Sequence, residues 1–267
     1  MRDDDYSEQV STLASRLLAQ LTRHRSENAR LLGDPKFPSI LDHKKQGEKI
    51  GRYQELYQIY SRLALSRPYD RPTAIAGLQK RLLDTLKVQG GFGVFDEGES
   101  KGLLRRSLLW HRGPDTPILN RIDFSKVHTT VPSWSWMAYT GGIDYLNIDG
   151  GVLEWEDLES PWSQPRDGKE QNSLIAKARQ FDRTDSKGSD TSLIADAGEG
   201  LEPVKGLCVV LGVRKGAMTL KSRLHFVLLI APAKQLGGNG NQMFERIGAG
   251  HMLGRYIAEE TVSVSVS

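Results

Sequence analysis

The sequence predicts an α+β protein: a helical layer of about three helices, followed by an antiparallel β-sheet or sandwich that carries a long polar insertion. Three observations carry this reading. Apolar residues recur at three- and four-residue spacing through the first third of the chain. From about Gly102 the texture changes to short β-type runs separated by glycine-containing turns. Helical runs followed by strands, without alternation between them, define α+β rather than α/β. The expected division is a helical region at 1–95 and a β-rich region at 102–267, with a flexible insertion at about 163–203.

The first predicted helix carries Val10, Leu13, Ala14, Leu17, Leu18 and Leu21, with Ser7 placed to cap its start and Arg23, His24 and Arg25 near its end. Gly33-Asp34-Pro35 and Phe37-Pro38 break the pattern. A second helix runs from about Glu48 and ends before Pro68, with Ile50, Tyr53, Leu56, Tyr57, Tyr60, Leu63 and Ala64 on one broad face. That face is wider than a single contact requires, so a cover is expected from the first helix, a second copy or another protein. Asp70 is expected to cap a third helix with Pro72 in its first turn, where the missing N–H costs nothing. Ala74, Ile75, Leu78, Leu82 and Leu86 form its apolar stripe, and Gly90-Gly91-Phe92-Gly93 ends it.

In the β-rich half, Leu108-Leu109-Trp110 reads as a short strand and Val131–Tyr139 as a longer one. Pro132 suits the first position of that strand. Two-residue periodicity puts Trp134, Trp136 and Ala138 on one face, with Ser133, Ser135, Met137 and Tyr139 on the other. The simpler reading makes the tryptophans core; the alternative makes Trp134, Trp136 and Tyr139 an exposed stacking platform for a ligand. Gly141-Gly142 is a turn, and Asp149-Gly150 predicts a hairpin between Ile143–Ile148 and Val152–Trp155. In the polar stretch 163–203, Ser173–Ala178 is too short to anchor much by itself. Strands resume at Leu207–Val213, His225–Ile230 and Met243–Ile247, and the alternation Val262, Val264, Val266 closes the series. Gly237–Asn241 is a turn between two of them.

Composition narrows the partners. Hydrophobic residues make up 38%, and the mean hydropathy of −0.44 leaves room for polar loops. The 36 basic residues nearly balance 33 acidic ones, and no basic run has the density of a nucleic-acid tail. No apolar run approaches the roughly 20 residues that span a bilayer, and Met1-Arg2-Asp3-Asp4-Asp5 lacks the apolar core of a secretion signal. The expectation is a cytoplasmic protein without nucleic-acid or membrane contacts. Cys208, the single cysteine, stands in an apolar run and forms no internal disulfide.

Catalytic signals are missing from the pattern. Gly90–Gly93 and Gly237–Gly240 lack the Lys-Ser/Thr and helix start of a phosphate loop. The six histidines show no pair at i, i+4 and no neighbouring ligand at metal spacing. No serine lies in a Gly-x-Ser-x-Gly elbow. Asp144 with Asp149, and Glu154 with Glu156 and Asp157, read as hairpin and strand-end charges rather than paired catalytic carboxylates. No residue is nominated as catalytic, cofactor-binding or metal-ligating.

Four stretches taken in order carry a resemblance. Tyr60-Ser61-Arg62 through Leu65, with Asp70-Arg71 and Ala74–Leu78 around Gly77, resembles "YS-x-R-x-LT … DRL-x-A-x-x-G". Gly102–Trp110, ending Leu108-Leu109-Trp110, resembles "GLW … LLW". Pro132-Ser133-Trp134-Ser135-Trp136 with Gly141-Gly142-Ile143 resembles "PSWSWAS … G-x-I". Phe226–Ile230, with Phe244-Glu245-Arg246-Ile247-Gly248-Ala249-Gly250, resembles "yVLLL … yeRvGvG". Together they resemble the C-terminal region of fungal heterokaryon-incompatibility (HET) domain proteins, over about residues 56–267. Leu104 stands where that family usually has Trp, and Pro72 where it has Leu. The motifs of the N-terminal HET module do not occur here. Any NAD-directed chemistry that the resemblance implies belongs to that module, so no catalytic residue or cofactor is carried onto this chain. What the resemblance implies is a non-enzymatic region linked to fungal non-self recognition and cell-death signalling, with a HET module or another protein as its partner. The other readings are a ligand-binding β-module built on the tryptophan platform, and an enzyme whose site is assembled from scattered residues.

Overall fold

The computed structural model describes residues 46–98, 102–127, 129–148, 151–163, 172–188, 190–216, 218–236 and 242–267. The predicted helix at Val10–Leu21 and the Gly237–Asn241 turn lie outside them.

Helix α1 (Gln46–Ser61) buries Tyr53, Leu56 and Tyr57, the i, i+3, i+4 set that makes one helix face. Helix α2 (Arg71–Leu86) buries Ile75, Gln79 and Leu82 on the same spacing. Pro72 sits in its first turn, and Lys87 closes it in the left-handed conformation at φ 55°. Asp70 makes no side-chain capping bond, which corrects the expectation that it would. The broad aromatic face of α1 meets the β-rich half. The Tyr53 ring lies 4.5 Å from Phe95 and the Tyr57 ring 5.1 Å from Trp136, and Tyr53 Oη lies 3.1 Å from Ser107 Oγ. The face is wide because several elements of the β-rich half converge on it. Leu63 and Ala64, beyond the helix end, are exposed.

Gly90–Gly93 does more than end a helix. Strands β1 (Gln89–Gly91) and β2 (Val94–Asp96) pair across the two-residue loop Phe92-Gly93, with both loop residues at positive φ, as a tight hairpin turn of matching twist requires. A Cβ on Gly93 would collide with the Trp136 indole, so this turn is held against the tryptophan segment. Leu108-Leu109-Trp110 is divided between helix α3 (Leu103–Leu108) and strand β3 (Trp110–Arg112). β4 (Asn120–Arg121) pairs β5 (Tyr139–Thr140), and β3 pairs β6 (Ile143–Tyr145). The flanking strands do not pair with each other, which corrects the hairpin expected around Asp149-Gly150, two residues outside the described ones. β6 pairs β3, while β7 (Leu153–Trp155) pairs a different strand, β11 (Lys205–Arg214).

The main sheet has eight strands: β7, β8 (Leu158–Glu159), β9 (Leu174–Asp182), β10 (Thr191–Ala195), β11 (Lys205–Arg214), β12 (Leu224–Leu236), β13 (Gln242–Leu253) and β14 (Val262–Val266). β9 pairs antiparallel with both β11 and β14, so the path β9–β11–β12–β13–β14 returns on itself. This closure leaves five strands with few free edges. The β13–β14 step alone is parallel, and the chain crosses to it through a short 3₁₀ turn, Gly254–Tyr256. Alternate residues feed two cores. Val209, Leu211, Leu228, Ile230, Val264 and Val266 pack with Leu104, Leu108 and Trp134, whereas Cys208, Val210, Val227, Leu229 and Met252 pack with Phe181 and Leu193.

The polar stretch 163–203 is therefore corrected. It contributes β9, at the closure of the sheet, and β10, which runs along β13. Its period of two is hidden because β9 buries small residues, Ala176 and Ala178, between Lys177 and Arg179. Averaged polarity then outweighs the alternation.

Candidate functional site

The segment Pro132–Tyr139 is buried throughout, but it is not a strand. Residues 133 and 134 form a turn and Trp136–Ala138 a 3₁₀ turn, and only Tyr139 enters β5. The interleaved serines are the cause, because short hydroxyl side chains compete for main-chain partners. Ser135 Oγ accepts from Met137 N at 3.1 Å, capping the 3₁₀ turn, and donates to the Phe92 carbonyl at 2.6 Å. Ser133 Oγ accepts from Arg246 N at 2.9 Å and donates to the Ser267 main-chain oxygen. Each serine thus ties this segment to a remote one.

The tryptophans are core residues. Trp134 and Trp136 are 0% exposed and Tyr139 is 7% exposed, which removes the stacking-platform reading. The Trp134 indole donates to the Asn172 carbonyl at 2.9 Å, and the Trp110 indole donates to the Trp134 carbonyl at 2.9 Å.

Next to Trp110 lies a buried charge cluster. The Arg246 guanidinium stacks on the Trp110 ring, 3.2 Å from its centroid. Its Nε donates to Asp196 at 3.0 Å, while Nη1 and Nη2 donate to the Leu108 and Trp110 carbonyls at 3.0 and 2.6 Å. Neither member of the Arg246–Asp196 pair reaches solvent appreciably, and such a pair holds only when its remaining donors are also satisfied. Arg112 fastens the neighbouring main chain by donating to the Ala195 carbonyl at 3.1 Å and the Thr116 carbonyl at 2.7 Å. Gly248 completes the fit: a Cβ there would stand 2.5 Å from the Ile194 carbonyl.

A second polar group links α1 to the β-rich half. Tyr60 Oη donates to the Arg71 carbonyl at 2.9 Å, and Ser61 Oγ donates to the Gln58 carbonyl and accepts from Ile143 N. Arg62 grips both carboxylates of Asp115 and Asp144, at 2.8 and 3.0 Å. Arg71 is 3% exposed and lies over the Trp136 ring at 5.8 Å.

Of the signature residues, Ser61, Arg71, Leu109, Trp110, Pro132, Ser133, Trp134, Ser135, Trp136, Arg246 and Gly248 are buried, and Tyr60 is half-buried. Asp70, Gly77 and Glu245 are exposed; a Cβ at Gly77 would meet nothing within 4 Å. No motif in the sequence marks Asp196, Arg112 or Asp115. The one available signal for Asp196 was its place directly after the β-type run Thr191–Ala195.

Clefts lined by described residues open near these groups. One of about 390 Å³ lies at the start of α2 and is lined by Arg62, Arg71 and Thr116. Another of about 670 Å³ contains His111, Asp144, Glu199 and Glu202. His111 Nδ1 lies 2.8 Å from the Arg112 carbonyl, which can only accept, so Nδ1 carries the proton. Burial lowers the pKa of this imidazole, but no Ser, Thr or Cys stands among the described wall residues for it to activate. The third cleft, about 810 Å³, is rimmed by Asp96, Glu97, Arg105 and Lys177. Burial pushes the Cys208 thiol up to about 12, which leaves it neutral and unreactive at physiological pH. Among the described residues no group of His, Cys, Asp or Glu could hold a metal ion, and no helix is long and apolar enough to cross a membrane.

No family model, curated protein or solved structure matches the chain.

Proposed function

We propose that this chain is a non-enzymatic C-terminal region of the heterokaryon-incompatibility type, acting in fungal non-self recognition and cell-death signalling in the cytoplasm. Its role in that reading is to fold against, or regulate, an effector module of the HET kind. What supports it is the meeting of the four resembling stretches around one set of buried contacts. Arg246 of the last stretch stacks on Trp110 of the second and bonds Ser133 of the third through its main-chain N–H. Arg71 of the first lies over Trp136 of the third. Motifs spread over the chain share a reason to occur together when they form one core.

The pure chain is expected to leave NAD intact over hours at micromolar concentration. It is also expected to co-sediment with a HET module taken from a protein that carries the same four stretches. NAD consumption that disappears on changing a single residue of this chain would overturn the reading, as would failure of the two pieces to associate.

A further inference from the structure

The two ends of strand β11 carry exposed apolar side chains and opposite charge. The chain enters β11 through residues 198–204. There Leu201 is 62% exposed, and Ile118 and Val204 are exposed as well. The loop of Ile118 runs along this segment: Leu119 N donates to the Asp196 carbonyl at 2.9 Å, and a Cβ on Gly198 would lie 3.4 Å from the Pro117 carbonyl and 3.6 Å from the Leu201 side chain. Glu199 and Glu202 flank Leu201, and among the described residues neither belongs to an ion pair. The chain leaves β11 through residues 215–220, where Met218 and Leu220 are 62% and 60% exposed. Arg214 and Lys215 are exposed and in no ion pair among the described residues, and Lys221 has only the exposed Glu259 at 3.9 Å. β11 is ten residues long, so at about 3.3 Å per residue the two surfaces stand about 30 Å apart. Neither can cover the other within one molecule.

We propose that copies of this chain associate head to tail, the acidic end of β11 at Leu201 in one copy seating against the basic end at Met218 and Leu220 in the next. A second copy is the occupant that the surfaces themselves specify, because each end supplies the charge that the other lacks. Apolar side chains at both ends gain by leaving water together, and the rim charges decide which ends meet. A two-fold dimer through either end would set Glu199 and Glu202, or Arg214 and Lys215, against their own kind. The contact is therefore heterologous, and every added copy leaves one acidic and one basic end free. Both ends belong to the same compact unit, residues 46–267, so their separation is set by the sheet. Two or three apolar side chains at each end make a small interface, so the association is weak and concentration-dependent.

The test is sedimentation velocity of the full chain up to about 100 µM, a range that detects dissociation constants between micromolar and millimolar. At low salt the weight-average sedimentation coefficient is expected to climb with concentration past the value of a dimer. It should fall back at about 1 M salt, where the Debye length is about 3 Å. Glu199→Lys with Glu202→Lys, and separately Arg214→Glu with Lys215→Glu, should each weaken the association at least about tenfold, since each leaves two ends of like charge. Mixing the two variants one to one should restore it, because every contact then joins unlike ends again; recovery also shows that both variants are folded. A chain that stays monomeric throughout, or an association that survives both double changes, would overturn the head-to-tail contact. So would loss with only one of the two, as in a two-fold dimer, or no recovery on mixing.

Discussion

Replacing Asp196 with Ala is expected to cost about 3–5 kcal/mol of unfolding free energy, enough to unfold much of the protein at ordinary temperature. The change leaves Arg246 buried, charged and without its carboxylate, while its stacking on Trp110 continues to hold it away from water. The damage spreads because Asp196 also belongs to the main-chain network. Its N–H donates to the Ile247 carbonyl at 3.0 Å, and its carbonyl accepts from Leu119 N at 2.9 Å. Urea unfolding measures the loss. Combining Asp196→Leu with Arg246→Met should recover part of it, since two apolar groups of similar bulk remove the stranded charge along with its partner. A single Asp196→Ala change that costs less than about 1 kcal/mol, in the range of an exposed ion pair, would show that Arg246 finds another partner.

Trp134→Ala should be comparably severe, at about 3–5 kcal/mol. The indole is fully buried between Phe92 and Trp162, with ring centroids 6.1 and 6.0 Å away, and its N–H anchors the Asn172 carbonyl. Its removal opens a cavity beside β9 and leaves that carbonyl without its donor. Equilibrium unfolding of the variant, with iodide quenching of the native protein, checks both halves of the statement. Trp110, Trp134 and Trp136 should resist iodide, whereas Trp155 and Trp162, only half-buried, account for the quenchable emission. Full quenching of the native emission with unchanged stability on substitution would restore an exposed platform.

The helices and late strands were legible because their periods are strong. Tyr53, Leu56 and Tyr57 mark one helix face, and the alternation in Val262–Val266 marks a strand. Two kinds of information were not local. The tryptophan segment alternates like a strand, yet its serines bond Phe92, Ser267 and Arg246, partners that exist only once the chain has folded. β9 hides behind lysine and arginine on one side and alanine on the other, so hydropathy misses it. That the aromatic face of α1 is covered by Phe95 and Trp136 was equally invisible, because a helix does not record what it packs against. The resemblance marks Arg246 and Trp110. Asp196, which balances Arg246, lies in a stretch whose polar composition reads as flexible.

The closed sheet requires that stretch to be part of the core, and amide hydrogen exchange followed by mass spectrometry tests it most directly. Peptides covering Leu174–Asp182 and Thr191–Ala195 should exchange as slowly as those from β11 and β12, because β9 and β10 are hydrogen-bonded within the same sheet. Asp196→Ala should accelerate all of these peptides together. Exchange of 174–196 at the rate of an unstructured chain, with β11 and β12 protected, would contradict the closed sheet and the buried Arg246–Asp196 pair alike.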